Sequence, residues 1–239
     1  MNYIIYNNDT FEKIKEIANN SIDLIITDPP YVNFQNAYDD SKEYVFSKLD
    51  YLFKEFKRIL KQSHIYIFIP TLEAEKWIAV KKYLKFNNLL ATKAFKTNVC
   101  KANNNFHNLQ LVMYLSKEPK EFYQVNWIKT SESRLTDPRN KNPKEFTYKY
   151  PNYIPEYIRS TAFDSKFHPN EKNINFLSNL VKLSSKEDVI FDPFMSTTGL
   201  ASLYLNRKFI IEQNNMYIEI SKNRISNLNL KLKKINHGS

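Results

Sequence analysis

Two short acidic segments carry the chemistry legible in this sequence. The first, Asp28-Pro29-Pro30-Tyr31, follows the apolar run Ile22–Thr27. Asp28 is a hydrogen-bond acceptor, and the carbonyl of Pro29 is a second acceptor held rigid by the two proline rings. Tyr31 adds a flat aromatic face. An exocyclic amine on a nucleobase has two N–H donors beside a planar ring, so the three elements match it. Two acceptors draw the nitrogen lone pair out of conjugation and make it a usable nucleophile. Catalysis of this kind is orientation plus electrostatic stabilisation, with no covalent enzyme intermediate. The plain alternative is a loop after a strand, because Asp-Pro-Pro alone is common. The second segment, Phe191-Asp192-Pro193-Phe194, also ends an apolar strand pattern in an acid and a proline.

The elements that must position these segments alternate. Met1–Tyr6 reads as a strand. Asp9 and Thr10 offer N-cap chemistry for a helix over Phe11–Ala18, with Phe11, Ile14 and Ile17 on one face. Asn19–Ser21 breaks it, and Ile22–Thr27 has the β-branched pattern of a buried parallel strand. Glu43–Leu60 reads as a helix with Val45, Leu49, Leu52, Phe53, Phe56 and Leu60 inside. Ile65–Ile69 is a strand and Leu72–Leu84 a helix. Leu89–Phe95 and Leu109–Leu115 are strands around a polar, Asn-rich loop, Thr97–His107. Glu118–Lys166 has aromatics, prolines and basic residues without clean periodicity, as in an insertion or small subdomain. The alternation returns with a helix over Asn173–Leu183, a strand over Val189–Phe191 and a helix over Gly199–Leu205. A strand over Phe209–Glu212 and a helix over Tyr217–Lys233 complete it. This pattern predicts an α/β fold, a mostly parallel sheet with helices on both faces. Ligands bind beyond the carboxyl ends of such strands, so Asp28 and Asp192 are expected to face one crevice.

Composition narrows the partners. The 239 residues hold 35 Lys plus Arg against 25 Asp plus Glu, a net charge of +10 that suits a polyanion, with plain solubility as the bland alternative. Aromatic content of 15% suits stacking on unpaired bases. The 42% hydrophobic content excludes a disordered chain. A single cysteine, Cys100, excludes an intramolecular disulfide and a thiolate zinc site. The four histidines form no His-Glu-x-x-His pair, so no metal is expected. Apolar runs fall short of the ~20 residues that span a bilayer, and Met1–Tyr6 has no basic region. The expectation is a cytoplasmic protein with no membrane partner. Glycine numbers only 2, where average usage would give roughly 17. Asparagine and proline can supply some of the missing turns, though not every close backbone approach.

Four segments, in order, resemble the amino-group DNA methyltransferases that use S-adenosylmethionine. Thr27-Asp28-Pro29-Pro30-Tyr31 resembles their catalytic motif. Phe167-His168-Pro169-Asn170-Glu171-Lys172 resembles the element before their cofactor loop. Phe191-Asp192-Pro193-Phe194-Met195-Ser196-Thr197-Thr198-Gly199 resembles that loop, and Arg207–Glu212 the strand after it. Catalytic motif first and cofactor loop near the C-terminus is similar to the family's beta group.

The resemblance implies a Rossmann-like S-adenosylmethionine-dependent methyltransferase fold. Its catalytic half would be residues 1–117, its target-recognition region 118–166 and its cofactor half 167–239. It implies that Asp28, Pro29, Pro30 and Tyr31 bind the target base. Asp192, Pro193, Phe194, Ser196, Thr197 and Thr198 would surround the methionine part of the cofactor. Glu212 would hold the ribose hydroxyls, Asp9 would lie near the adenine, and His168 and Lys172 would line the cofactor side. Arg134, Arg139, Lys141, Lys144 and Arg159 become candidates for phosphate contacts. The target base must leave the duplex to reach Tyr31. The function implied is methyl transfer to adenine N6 in DNA. Cytosine N4, an RNA substrate and a catalytically impaired DNA-binding homologue are alternatives. A homodimer and a cognate restriction endonuclease stay open as partners.

The chain departs from the family pattern where glycine is expected. Inserting Gly on both sides of Ser196 restores the usual cofactor loop, and the usual Phe-Ile-Gly-Ile-Glu reads Phe209-Ile210-Ile211-Glu212. Three accounts are open: glycines in the natural molecule that this chain lacks, a decayed homologue, or a shorter loop that works with Ser196 and Thr197 as donors. Gln110 in place of Glu and Ala94 in place of Trp are smaller departures.

Overall fold

The computed structural model describes residues 2–29, 47–70, 74–99, 106–118, 127–133, 145–151, 189–194 and 207–212, with helical positions 177, 180, 181, 184, 218, 219, 222 and 223. In chain order the elements are β1 (Asn2–Asn7), α1 (Thr10–Lys13), β2 (Ile22–Thr27), α2 (Leu49–Ile59), β3 (Leu60–Ile69), α3 (Ala74–Ile78), β4 (Lys85–Val99) and β5 (Phe106–Ser116). They continue with β6 (Trp127–Ser133), β7 (Glu145–Pro151), β8 (Ile190–Asp192) and β9 (Arg207–Glu212). Single 3-10 turns extend α1 over Ile14–Glu16 and α3 over Ala79–Lys82.

Seven strands form one sheet in the order β1-β9-β8-β2-β3-β5-β4. Pairings from β1 through β3 are parallel, and β5 is antiparallel to both neighbours. Thus β5 alone is reversed, and the mostly parallel α/β sheet expected from the alternation is what forms. β2 shows why. All six of its residues are buried, with Ile22 and Ile25 in one apolar cluster and Leu24 and Ile26 in another. A strand buried on both faces must be covered by helices on both. One cover is α2, whose Leu49, Leu52, Phe53, Phe56 and Ile59 line a single face against the sheet. Each such burial is worth roughly 1.5–3 kcal/mol against exposure. The other cover includes Leu177, Leu180 and Val181, packed on Leu24, Ile26, Tyr66 and Ile190.

Several boundaries differ from the pattern-based expectation. α1 is a short turn rather than a helix over Phe11–Ala18. It ends early because Arg58 on α2 donates to the carbonyls of Ile14 (2.9 Å) and Ile17 (2.7 Å), closing the turn from outside. Asn20 then takes a left-handed φ of 50°, a conformation that asparagine tolerates where glycine is usual. β3 starts at Leu60, directly at the end of α2, rather than at Ile65. β4 and β5 are longer than expected, so residues 97–99 and 106–107 are strand, not loop. Residues 118–166 contain an unforeseen hairpin, in which β6 and β7 pair antiparallel as a separate two-stranded sheet. Among the described residues, no helix is long and apolar enough to cross a membrane, and no group of three His, Cys, Asp or Glu could hold a metal ion.

Candidate active site

The strand order brings the acids together. From β2 the chain passes to β3 on one side, and from β8 it passes to β9 on the other. The join between β2 and β8 is therefore a topological switch point, where a crevice opens beyond the carboxyl ends of the strands. Asp28 stands immediately past β2, and Asp192 is the last residue of β8. Glu212 ends β9, opposite Asn7 at the end of β1, and Asp9 follows two residues later. These four acids thus lie along one edge of parallel strands. Three strand spacings of about 4.8 Å separate β1 from β2, a row of roughly 14 Å.

Local geometry differs from residue to residue. Asp192 is buried, and its Oδ1 accepts from Thr27 Oγ1 (2.7 Å) and from the backbone N–H of Phe194 (3.1 Å). The carboxylate therefore closes the turn Asp192-Pro193-Phe194 and ties it to β2. The Thr10 hydroxyl donates to the carbonyl of Pro193 from the other side. Phe194 lies edge-on to Phe11, with ring centroids 6.3 Å apart at 61°. Phe11 also meets Tyr51 at 6.4 Å and carries Lys48 Nζ 4.9 Å from its ring. Burial, and then the Glu55 carboxylate, push the Tyr51 phenol above its ordinary pKa, so it packs as a neutral ring. Asp28 is half-buried with Pro29 buried behind it.

At the opposite end of the same strands, Asp23 pins β2 to β3 and to the entry of β8. Lys61 Nζ donates to its Oδ1 (2.8 Å) and the Val189 N–H to its Oδ2 (2.9 Å). Together with the Thr27–Asp192 bond, this holds the switch-point strands at both ends.

Of the expected site residues, the structure brings Asp28, Pro29, Asp192, Pro193, Phe194, Asp9 and Glu212 to one sheet edge. Asp9 does so as the N-cap of α1, with Oδ1 accepting from the N–H groups of Phe11 (2.8 Å) and Glu12 (3.1 Å). Pro30, Tyr31, His168, Lys172, Ser196, Thr197 and Thr198 lie outside the described residues, as do Arg134, Arg139, Lys141, Lys144 and Arg159. Thr27 was missed as a functional candidate. Its signal was a lone hydroxyl in the last position of the strand, after Leu24, Ile25 and Ile26. β9 pairs with β1 in unbroken register from Arg207 to Glu212, so the site of the family's extra glycine, between Ile210 and Ile211, is regular strand.

The family profile described as DNA methylase, covering N6 and N4 enzymes, matches residues 22–223. The chain belongs to this family. Among relatives of this DNA methylase, the DNA adenine methyltransferase YhdJ of Escherichia coli K12 is 28% identical over 250 residues, 92% of this chain and 82% of that one. The type II methyltransferase M2.MboI of Moraxella bovis is 27% identical over 93% of this chain and 87% of its own. Among solved structures, the M1.HpyAVI–SAM complex aligns with a TM-score of 0.63 at 22% identity, covering 94% of this chain and 99% of that one. The cytosine-N4-specific PvuII DNA methyltransferase aligns at 0.64 and 16% identity, covering 94% and 86%. At these identities the structural likenesses show the fold.

Proposed function

We propose that this DNA methylase transfers a methyl group from S-adenosylmethionine to the exocyclic N6 of adenine in a base flipped out of duplex DNA. The observation that carries the reading is the switch-point pair. Asp28 and Asp192 stand at the carboxyl ends of the adjacent parallel strands β2 and β8, and the buried Thr27 hydroxyl ties those two ends together through Asp192. A buried carboxylate, a proline turn and a row of acids fit a ligand that is cationic at one end and carries hydroxyls at the other. Asp192, Pro193 and Phe194 would hold the methionine part of the cofactor and Glu212 its ribose. S-adenosylmethionine, when bound, supplies an electrophilic methyl group. The chain's own residues do the rest. The Asp28 carboxylate and the Pro29 carbonyl accept the two N–H groups of the amine, so the nitrogen lone pair is turned out of the ring plane. Asp28 also balances the positive charge that develops on nitrogen. Tyr31 would stack on the flipped base. Residues 118–166, with the β6–β7 hairpin, are assigned to target recognition, between a catalytic half at 1–117 and a cofactor half at 167–239. The motif order is that of the beta group.

An acid at the first motif position favours adenine over cytosine. Transfer of tritiated methyl to duplex oligonucleotides, followed by nucleoside analysis, tests this. Label is expected in N6-methyladenine, and label in N4-methylcytosine would overturn it. The shortened loop around Ser196 favours one second reading, a DNA-binding homologue without cofactor. Micromolar binding of S-adenosylmethionine by calorimetry would eliminate it.

A further inference from the structure

We infer that Thr27 is a positioning residue, which fixes the Asp192-Pro193-Phe194 turn from the catalytic strand, with Thr10 as a second anchor from α1. This deepens the methyltransferase reading and rests on it, since it assigns a task to the turn that would hold the cofactor.

Thr27 is fully buried at the end of a strand, directly after two isoleucines. Valine would have the same branched shape there, and a buried hydroxyl without a partner costs free energy. Its partner is the carboxylate of Asp192, 165 positions away in the chain, at 2.7 Å. That is the ordinary length of a well-formed O–H···O hydrogen bond. The accepting oxygen also takes the Phe194 N–H, so one atom both closes the turn and ties it to β2. Pro193 has no N–H of its own, which makes the turn poor in internal hydrogen bonds. Thr10 supplies a second tie through the Pro193 carbonyl. It can do so because Asp9, not Thr10, caps α1. Two threonine hydroxyls from two elements thus converge on three consecutive residues, and the Phe194 ring rests on Phe11. A turn held in this way is organised before ligand arrives, so less ordering is needed on binding. Thr27 is also the residue before Asp28, so the same side chain sets the spacing between the amine-binding acid and the cofactor turn.

The test uses the full chain with T27V, T27S and T10V. Three quantities are measured: S-adenosylmethionine affinity by calorimetry, duplex DNA affinity by fluorescence anisotropy, and hydrogen exchange at the Phe194 amide. T27V is expected to weaken cofactor binding about tenfold, the equivalent of one net hydrogen bond, and to speed exchange at Phe194. DNA affinity stays unchanged, and T27S restores most of both losses. T10V is expected to weaken cofactor binding in the same direction. Cofactor affinity and Phe194 exchange both at wild-type values in T27V would overturn the inference. So would cofactor and DNA binding falling together in step with a lowered melting temperature, because that is the mark of general destabilisation. A wild-type chain that binds no S-adenosylmethionine refutes the methyltransferase reading and this inference together. Wild-type binding with an unaffected T27V refutes this inference alone.

Discussion

Asp28→Asn separates the proposed base chemistry from the cofactor site. The substitution keeps the shape and one acceptor oxygen, removes the charge, and places an NH2 where the second acceptor oxygen was. A hydrogen bond to a charged acceptor is worth about 1.5–3 kcal/mol net, against about 1 kcal/mol for a neutral pair. The larger effect comes in the transition state, where nitrogen gains positive charge as the methyl bond forms. Removing a preorganised electrostatic partner at such a centre costs about 2.7–4 kcal/mol, or about 10²–10³ in kcat. Asp28 is half-buried, and partial access of water lowers the effective field. The expected loss is therefore near the lower end, about 100-fold in kcat. The KM for S-adenosylmethionine should not move, because the turn proposed to hold the cofactor is tied through Thr27 and Asp192 rather than through Asp28. DNA affinity should also hold, since phosphate contacts dominate it. Single-turnover transfer of tritiated methyl to saturating duplex measures the chemical step. An Asp28→Asn enzyme keeping more than roughly a tenth of wild-type kcat would refute the reasoning, as would a loss expressed mainly in cofactor KM.

Three further outcomes follow from the packing and the turns. Phe56→Ala removes a fully buried ring that meets Phe53 at 5.7 Å, and denaturant unfolding is expected to show a loss of about 3–5 kcal/mol. Asn20→Ala should destabilise by about 1–2 kcal/mol, because alanine resists the left-handed φ and the contact from Lys117 Nζ to Asn20 Oδ1 (2.6 Å) is lost. Asn20→Gly is expected to cost less than alanine, and the opposite order in unfolding experiments would count against the backbone argument. Restoring Gly on both sides of Ser196 is expected to tighten S-adenosylmethionine binding in calorimetry. Equal or weaker binding would identify the shorter loop as the working form.

Much of the sheet was legible because burial on both faces leaves an unmistakable run. Ile22–Thr27 reads as a parallel strand for the reason it is one, and the spacing of Leu49, Leu52, Phe53 and Phe56 is that of a helix with one face inside. The shifted starts of β3 and β4 share a feature, polar residues whose partners lie elsewhere in the chain. Ser63 and His64 are polar residues inside β3, ahead of the strand expected at Ile65–Ile69. In the structure the Ser63 hydroxyl donates to the carbonyl of Asp23, and His64 Nδ1 bonds the Tyr114 hydroxyl at 2.8 Å. Asn87 lies in β4 ahead of the strand expected at Leu89–Phe95, and its amide donates to Ser116 Oγ across the β4–β5 pair at 2.9 Å. The β6–β7 hairpin gave no periodic signal, because a two-stranded ribbon outside the main sheet is defined by cross-strand backbone bonds.

The amino-acid sequence by itself determined the kinds of group available and their local settings: an acid and a rigid carbonyl after one apolar strand, an acid and a proline turn after another, and a basic chain around them. Those are short-range properties, written in neighbouring residues. Only the tertiary structure decided that β8 inserts beside β2, that Asp192 and Thr27 hydrogen-bond although they are 165 positions apart, and that Thr10 joins the same turn. In sequence Thr27 is one more β-branched residue in a strand. Strand order and register are set by which apolar faces bury together, and that long-range outcome makes its hydroxyl a link between the ends of β2 and β8.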